Sequence, residues 1–255
     1  MGTLQFDGVD DTLQWDTLAS ALQNVPTSAN TIGVLLKRSN INSPVFQPPC
    51  DLEAGGFARR LYVEFNGNAN QYITNTGGCF MGFSFTSTAD PYMIIASKAS
   101  GTSTPRVGWK LGSGGSWTHE DGDNTVGDAS AAATKLLIGT RENLSGIYIG
   151  WIGVVAFWAG AMSDANKEVL DDNWSTSDWW NSAHGQPLFL VELNVAGTSV
   201  VDLAGNASAL TVTGTTLDAT ETLNNWNFNG IGVRPMTASA GMTVFRLKRS
   251  GLAYG

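Results

Sequence analysis

Short apolar runs follow one another along the whole chain, and clusters of Gly, Ser, Thr, Asn and Asp separate them. The runs are rich in β-branched and aromatic residues, which is typical of strands, and the separators are typical of turns. Because no long stretch shows a helical period, we expect an all-β sandwich or barrel. The predicted strands are Thr3–Phe6, Thr12–Trp15, Thr31–Lys37, Leu61–Phe65, Phe80–Phe85, Tyr92–Ser97, Arg106–Leu111, Lys135–Thr140, Ile147–Trp158, Leu188–Leu193, Ser199–Leu203 and Ala209–Val212.

The run Ile147–Trp158 is the most informative of these strands. Its odd and its even positions are both apolar, which predicts a central strand covered on both sides. Its glycines indicate that a neighbouring element approaches closely. We expect Trp151 and Trp158 to belong to the core.

Two short helices are predicted, each opened by a capping side chain. The caps and spans are Asp16 before Thr17–Asn24 and Ser163 before Asp164–Asp172. In the second helix the spacing of Ala165 and Val169 predicts that both face inward.

Charge divides the chain into two parts. The whole sequence has 14 basic and 22 acidic residues, a net charge of −8, which argues against a protein that coats nucleic acid. Every acidic residue lies at or before Glu221, and four basic residues lie beyond it, so the body carries −12 and the last 34 residues carry +4. We therefore predict a sandwich over residues 1–221 and a C-terminal docking arm or edge strand over residues 222–255. The candidate docking residues are Arg234, Phe245, Arg246, Leu247, Lys248 and Arg249.

Cysteine content and apolar stretches give weaker information. Cys50 and Cys79, the only cysteines, are either two unpaired thiols or one bridge between neighbouring loops. The longest uncharged apolar stretch, Ile147–Met162, is too short for a membrane-spanning helix. The first residues show no basic segment followed by an apolar one, so we expect no Sec-type signal.

Three stretches of sequence resemble one family of folds. Leu4–Asp11 resembles the FDGxDD opening strand of laminin-G-like, concanavalin-A-like domains, and Gly150–Ser163 resembles their late strand, turn and short helix. The segment from Leu193 to Asn206 is similar to the closing segment of the versions found in minor tail proteins of tailed phages. The resemblance implies a two-sheet antiparallel jelly roll in which Phe6 is buried. It also implies loops that often bind glycans, sometimes with calcium.

The sequence argues against an enzyme. Glycosidases on such sandwiches carry a Glu-x-Asp-x-x-Glu strand, and the nearest acidic cluster, Glu120–Asp123, lacks that pattern and is expected to be a solvated loop. No Gly-x-Ser-x-Gly elbow, P-loop or dinucleotide fingerprint is present.

A required metal or cofactor is not expected either. Asp121, Asp123 and Asp128 offer hard oxygens of the kind that calcium prefers, so calcium is the one ion they suit. The EF-hand pattern fails because Val126 stands where that loop needs glycine.

Glycan binding is the most specific binding hypothesis. Sugars bind on aromatic faces beside a few polar anchors. One candidate rim consists of Trp109, Trp117, His119, Asp121 and Asp123, and a second consists of Trp174, Trp179 and Trp180. The alternative is that these tryptophans pack within the protein or against a neighbouring subunit.

From these observations we expect a structural and adhesive component of a virion, a minor tail protein of a tailed phage. Such a protein is made in the host cytoplasm and resides in the tail. Its partners would be other tail proteins, further copies of itself and host-surface glycans, with no nucleic acid and no membrane insertion. The first competing hypothesis is a lectin-like carbohydrate-binding module of a microbial surface protein, and the second is an inactive or divergent glycosidase.

Overall fold

The structure is a computed structural model that describes residues 3–39, 47–53, 60–66, 69–74, 77–81, 85–112, 115–140, 147–170, 179, 182–193, 200–214 and 216–218. The predicted domain boundary at residue 221 lies outside these ranges. So do the candidate residues Trp174, Trp180, Arg234, Phe245, Arg246, Leu247, Lys248 and Arg249. Within the described ranges, no helix has the length and apolar character required to cross a membrane.

Short strands dominate the described chain. In chain order the elements are β1 (Thr3–Asp7), β2 (Thr12–Leu18), α1 (Ser20–Gln23), β3 (Asn30–Arg38), β4 (Cys50–Glu53), β5 (Arg60–Asn66), β6 (Ala69–Thr74), β7 (Gly77–Met81), β8 (Tyr92–Lys98), β9 (Arg106–Leu111), β10 (Thr118–Asp121), β11 (Lys135–Ile138), β12 (Ile149–Ala159), α2 (Asp164–Val169), β13 (Phe189–Glu192), β14 (Ala207–Thr213) and β15 (Thr216–Asp218).

The described strands form two antiparallel sheets. The first sheet has the order β10-β9-β8-β3-β12-β1-β15, with β13 also paired to β12. The second has the order β14-β2-β11-β4-β5-β6-β7. Several sheet neighbours, such as β3 with β12 and β14 with β2, come from distant parts of the sequence, as in a jelly roll. The predicted all-β, two-sheet sandwich is confirmed.

Two hydrophobic clusters hold the sheets in place. The main cluster takes residues from both sheets and fills the space between them, and Phe6 and Trp15 are among its buried side chains. A second cluster covers the outer face of the first sheet, where Met162, Leu170 and Trp179 pack on it. The central strands of the first sheet are therefore covered on both faces.

Strand β12 contributes to both clusters, as its sequence predicts. Its register with β3 shifts between Ile152 and Val154, so Gly153 lies in a bulge. After this bulge Val155 faces the main cluster while Val154 faces the second cluster. Residues from both faces of the strand are therefore buried.

The two tryptophans of β12 differ. Trp158 is fully buried, as expected. The core prediction for Trp151 is wrong, because its ring is only half-buried and the Lys37 ammonium lies 4.9 Å from the ring centroid.

The predicted first helix is mostly wrong. Strand β2 continues to Leu18, where it pairs with Ala207 of β14, and the helix is limited to Ser20–Gln23 behind Ala19. Asp16 therefore caps nothing and is exposed on the strand. Cross-strand pairing outweighs the local capping signal here.

The second helix begins as predicted but buries other residues. The Ser163 hydroxyl accepts a hydrogen bond from the Asn166 amide at 3.3 Å, so the cap is confirmed. The inward orientation predicted for Ala165 and Val169 is wrong, since Val169 is 52% exposed and Ala165 is also exposed. Lys167 and Leu170 are buried instead.

Among the described residues of Ser199–Leu203 no strand is present, which corrects that prediction. Asp202 is buried there, and its carboxylate accepts hydrogen bonds at 2.7–3.0 Å from four backbone amides, those of Leu190, Ala204, Asn206 and Ala207. The segment is thus a turn organised around one side chain. Strands β4, β6, β10 and β15 were not predicted.

Candidate functional site

The register of β9 and β10 divides the predicted glycan rim between two faces. Trp109 lies opposite Thr118, and Gly108 lies opposite His119. Because side chains alternate along a strand, Trp109 and His119 point to opposite sides of the sheet. Trp109 packs against the main cluster between the sheets. Trp117, His119 and Asp121 share the outer face, next to α2.

We call this outer region the Trp117–His119 surface. It consists of Arg106 on β9, of Trp117, His119 and Asp121 at and before β10, and of Asp164, Lys167 and Glu168 on α2.

The two rings of the surface are stacked. Their centroids are 5.8 Å apart and their planes differ by 8°. Trp117 is half-buried and packs against the second cluster. Its indole Nε1 is buried and has no hydrogen-bond partner among the described residues. Because both residues are only partly buried, the stacked pair is a partly exposed aromatic platform at the edge of the sheet.

Arg106 connects the strand carboxylate with the helix carboxylate. Its Nη1 is 2.8 Å from Asp121 Oδ1, and its Nη2 is 2.6 Å from Asp164 Oδ2. Burial opposes ionisation of Asp164, but the hydrogen bond from Arg106 and the charge of Lys167 outweigh it and lower the pKa of Asp164. The hydrogen bonds that Arg106 donates to Asp164 and to Asp121 in turn raise the pKa of Arg106. Arg106 and Asp164 are therefore both ionised at neutral pH.

The histidine is held by the helix. His119 Nε2 lies 2.9 Å from Glu168 Oε1, and its Nδ1 lies 3.2 Å from Asp164 Oδ1. Because an ionised carboxylate only accepts hydrogen bonds, the imidazole Nε2–H donates to Glu168.

Gly108 allows this close approach. A Cβ at position 108 would lie 2.7 Å from His119 Nδ1 and 3.2 Å from Lys167 Cδ. Any larger residue would push both side chains away from the strand.

Lys167 supports the surface from beneath. Its ammonium is fully buried and donates to the Arg106 carbonyl at 3.1 Å and to Asp164 Oδ1 at 3.3 Å. Burial lowers the pKa of Lys167. The spacing of Asp164, Lys167 and Glu168 places the three on one helix face.

The other predicted rim residues lie elsewhere. Trp179 is buried in the second cluster, 5.6 Å from Trp158 between ring centroids, which corrects its assignment to an exposed rim. Asp123 lies beside the buried Cys79 thiol and apart from Trp117. Glu120–Asp121 are part of β10, so the expected loop is partly a strand. Cys50 and Cys79 are both buried thiols and form no disulfide, which decides between the two alternatives for the cysteines.

Sequence reasoning missed four residues of the surface: Arg106, Asp164, Lys167 and Glu168. The Ser163 cap of α2 and the i, i+3, i+4 spacing of its charges are visible in the sequence. Nothing in the sequence placed that helix face against β9 and β10.

The three aspartates considered for calcium are not together. Asp121 pairs with Arg106, Asp128 pairs with the buried Lys98, and Asp123 lies beside Cys79. In the described part of the chain, the three carboxylates that could share a cation are Asp7, Asp10 and Asp11, with one oxygen from each within 4.8 Å of the others. In the sequence, this motif indicates the opening strand of the fold and does not indicate a ligand set.

The Asp7–Asp11 loop gives a pH-dependent prediction. Burial and the nearby charges of Asp7 and Asp10 raise the pKa of Asp11 to about 6. A folded-state pKa above the unfolded value means that Asp11 stabilises the fold below about pH 4 and loses this contribution as pH rises through 6. Asparagine keeps an oxygen that can accept from the Asp7 amide. We expect the stability of Asp11→Asn relative to wild type to rise by about 2–3 kcal/mol between pH 4 and pH 8.

Urea denaturation at several pH values measures this difference. Asp16→Asn removes an exposed carboxylate from the next strand and is the control. A pH profile for Asp11→Asn that matches that of the control would show that Asp11 ionises normally.

Comparisons with known proteins found similar solved structures but no family. A scan against family models found no match, and a search of curated proteins found no relative. Among solved structures, tailspike protein 2 of a bacteriophage of Escherichia coli O157:H7 has a TM-score of 0.46 and 11% identity, and the match covers 75% of this chain and 26% of that one. Two domains of the mouse laminin α1 chain have a TM-score of 0.43 and 7% identity, covering 62% of this chain and 40% of that one.

A third similar structure is the CBM40 module of the Ruminococcus gnavus IT-sialidase, bound to α2,3-sialyllactose. Its TM-score is 0.38 and its identity 8%, and the match covers 62% of this chain and 95% of the module. This chain spans only about a quarter to two fifths of the first two structures. The described strands form the two-sheet antiparallel sandwich that the sequence resemblance implied. At these scores the likenesses carry no argument about activity.

Proposed function

We propose that this protein is a structural and adhesive component of the tail of a tailed-phage virion, and that its Trp117–His119 surface contacts host carbohydrate. The observation that carries the adhesive part is the stacked ring pair beside Asp121 and Glu168. An aromatic platform with a few polar anchors is the arrangement that sugars require. The virion part is supported by the sequence resemblance of the segment from Leu193 to Asn206.

The proposed role is binding and not catalysis. Asp121 and Asp164 both contact Arg106, and Glu168 contacts His119. Carboxylates engaged in this way suit the anchoring of hydroxyl groups more than proton transfer. The residues 222–255 remain, in this proposal, the arm that docks on other tail proteins.

Loss of sugar binding on Trp117→Ala tests the adhesive surface. We expect saturable binding on a glycan array for the wild type and a loss of at least about tenfold in affinity for the variant, since an indole platform supplies most of the contact area. Trp117→Phe should retain part of the affinity because a ring remains.

Trp151→Ala is the matched control, since it removes another half-buried tryptophan from the same face, next to Lys37. Equal losses of glycan affinity for Trp151→Ala and Trp117→Ala would show that the glycan does not bind at the Trp117–His119 surface. Circular dichroism confirms that each variant is folded.

The second candidate function is a lectin-like carbohydrate-binding module of a microbial surface protein, and the same surface favours it. Immuno-electron microscopy separates the two. A tail component is labelled on the phage particle, whereas a surface module is labelled on the cell envelope.

A further inference from the structure

We propose that the Trp117–His119 surface selects uncharged or ammonium-bearing saccharides and rejects acidic ones such as sialylated or sulfated glycans. This inference rests on the proposed carbohydrate-binding function. It follows from which charges of the surface are buried and which are exposed to a ligand.

Both cations of the surface, Arg106 and Lys167, already form ion pairs with carboxylates of the protein. The Lys167 side chain is 0% exposed and its ammonium is bound to Asp164 and to the Arg106 carbonyl. The Arg106 guanidinium is shared between two carboxylates, at 2.8 Å to Asp121 and 2.6 Å to Asp164. An acidic sugar would therefore have to displace an existing ion pair in order to find a cation.

Two of the three carboxylates are more exposed to solvent than either cation, since the Arg106 side chain is 41% exposed. The Asp121 side chain is 67% exposed and that of Glu168 is 52% exposed. In each of them one oxygen is bound, to Arg106 and to His119 respectively, and the other accepts no hydrogen bond from a described residue. Two open acceptors thus flank the ring platform.

Open carboxylate oxygens suit a particular kind of ligand. Sugar hydroxyl groups donate charge-assisted hydrogen bonds to them, and the ammonium of an amino sugar adds an ion pair. A carboxylate or sulfate on the ligand would approach like charges a few ångströms away, which predicts roughly tenfold weaker binding.

The total charge acts in the same direction. The part of the surface that a ligand can reach carries more carboxylate than cation, since the Lys167 side chain is buried while those of Asp121 and Glu168 are exposed. The sequence body also carries an excess of acidic residues. This long-range field weakens the approach of anionic glycans, and salt screens it.

A glycan array of matched pairs tests the selectivity, with each uncharged glycan printed beside its sialylated or sulfated form and with glucosamine oligomers included. We expect the uncharged or ammonium-bearing member to bind at least about tenfold more tightly than its acidic partner at low salt. The double variant Asp121→Asn/Glu168→Gln should narrow this difference. Asp16→Asn/Asp90→Asn removes the same net charge away from β10 and should leave the difference unchanged.

The outcomes separate the two proposals. Equal or tighter binding of the acidic members, abolished by Trp117→Ala, would overturn the selectivity and leave the adhesive function standing. The selectivity proposal would also be overturned if Asp16→Asn/Asp90→Asn reduced the affinity difference between uncharged and acidic glycans as much as Asp121→Asn/Glu168→Gln does. The overall charge of the protein would then be the cause of that difference. A folded protein that binds no glycan would overturn the proposed function itself, and the selectivity with it.

Discussion

Replacing Phe6 by alanine is expected to lower the free energy of unfolding by about 3–5 kcal/mol. Phe6 is fully buried, and its ring packs edge-on against Tyr148 with 6.2 Å between centroids. Gly139 closes the other side of the ring, since a Cβ there would lie 2.2 Å from its carbon atoms. Neighbours fixed by sheet pairing cannot collapse into the space left by the ring, so both the lost burial and the cavity contribute.

Chemical denaturation of wild type and variant measures this loss. Val9→Ala lies three residues away in the same segment, where Val9 is 72% exposed, and it should change stability by less than about 0.5 kcal/mol. A loss below about 1 kcal/mol for Phe6→Ala would mean that the opening strand does not anchor the sandwich.

The opening strand illustrates what the sequence could predict. Its apolar residues Leu4 and Phe6 alternate with polar ones, and both are buried beside β12, with Leu4 opposite Ile152 and Phe6 opposite Gly150. The same reasoning succeeded for β12, whose two apolar faces are buried in two clusters. Hydrophobic alternation reports burial directly, so strands defined by it are predictable.

Strand β10 shows where this reasoning fails. Its sequence from Thr118 to Asp121 has no apolar residue, and it is a strand because it pairs with β9 and because Arg106 and α2 satisfy its charged outer face. Strand β4 is similar, because Asp51 and Glu53 alternate with the core residues Cys50 and Leu52. Ion pairs and neighbouring strands determine these elements, and neither is visible in a local window.

The sequence predicts only part of the candidate site, because strand pairing and helix packing determine the rest. Trp117, His119 and Asp121 are spaced by two, so they share a face once β10 is known to be a strand. Trp109 was grouped with them by composition, and the register places it on the opposite face. The contribution of α2 depends on how the helix packs on the sheet, which sequence spacing does not encode.

Replacing Lys98 by methionine is the second change with a large expected effect, a loss of about 3–5 kcal/mol at neutral pH. The Lys98 ammonium is fully buried and donates to the Ala99 carbonyl at 2.8 Å, to the Gly101 carbonyl at 2.7 Å and to Asp128. Methionine would fill the space of the stem but leave two carbonyls and a carboxylate without their donor.

The dependence of this loss on pH distinguishes a broken ion pair from poor packing. Burial opposes ionisation of Asp128, but the hydrogen bonds from Lys98 and the Gly101 amide lower the pKa of its carboxyl group. A folded-state pKa below the unfolded value gives stability that is present above about pH 4 and is lost as pH falls through the folded value. The difference between wild type and Lys98→Met should therefore be largest near pH 7 and shrink in acid.

Two further variants identify the cause. Lys37→Met removes a half-exposed ammonium and should cost less than about 1 kcal/mol. Adding Asp128→Leu to Lys98→Met should recover part of the stability, because the remaining carboxylate then no longer lacks its partner. If the loss for Lys98→Met does not change with pH and the double variant recovers nothing, the effect of Lys98 comes from the packing of its stem and not from its charge.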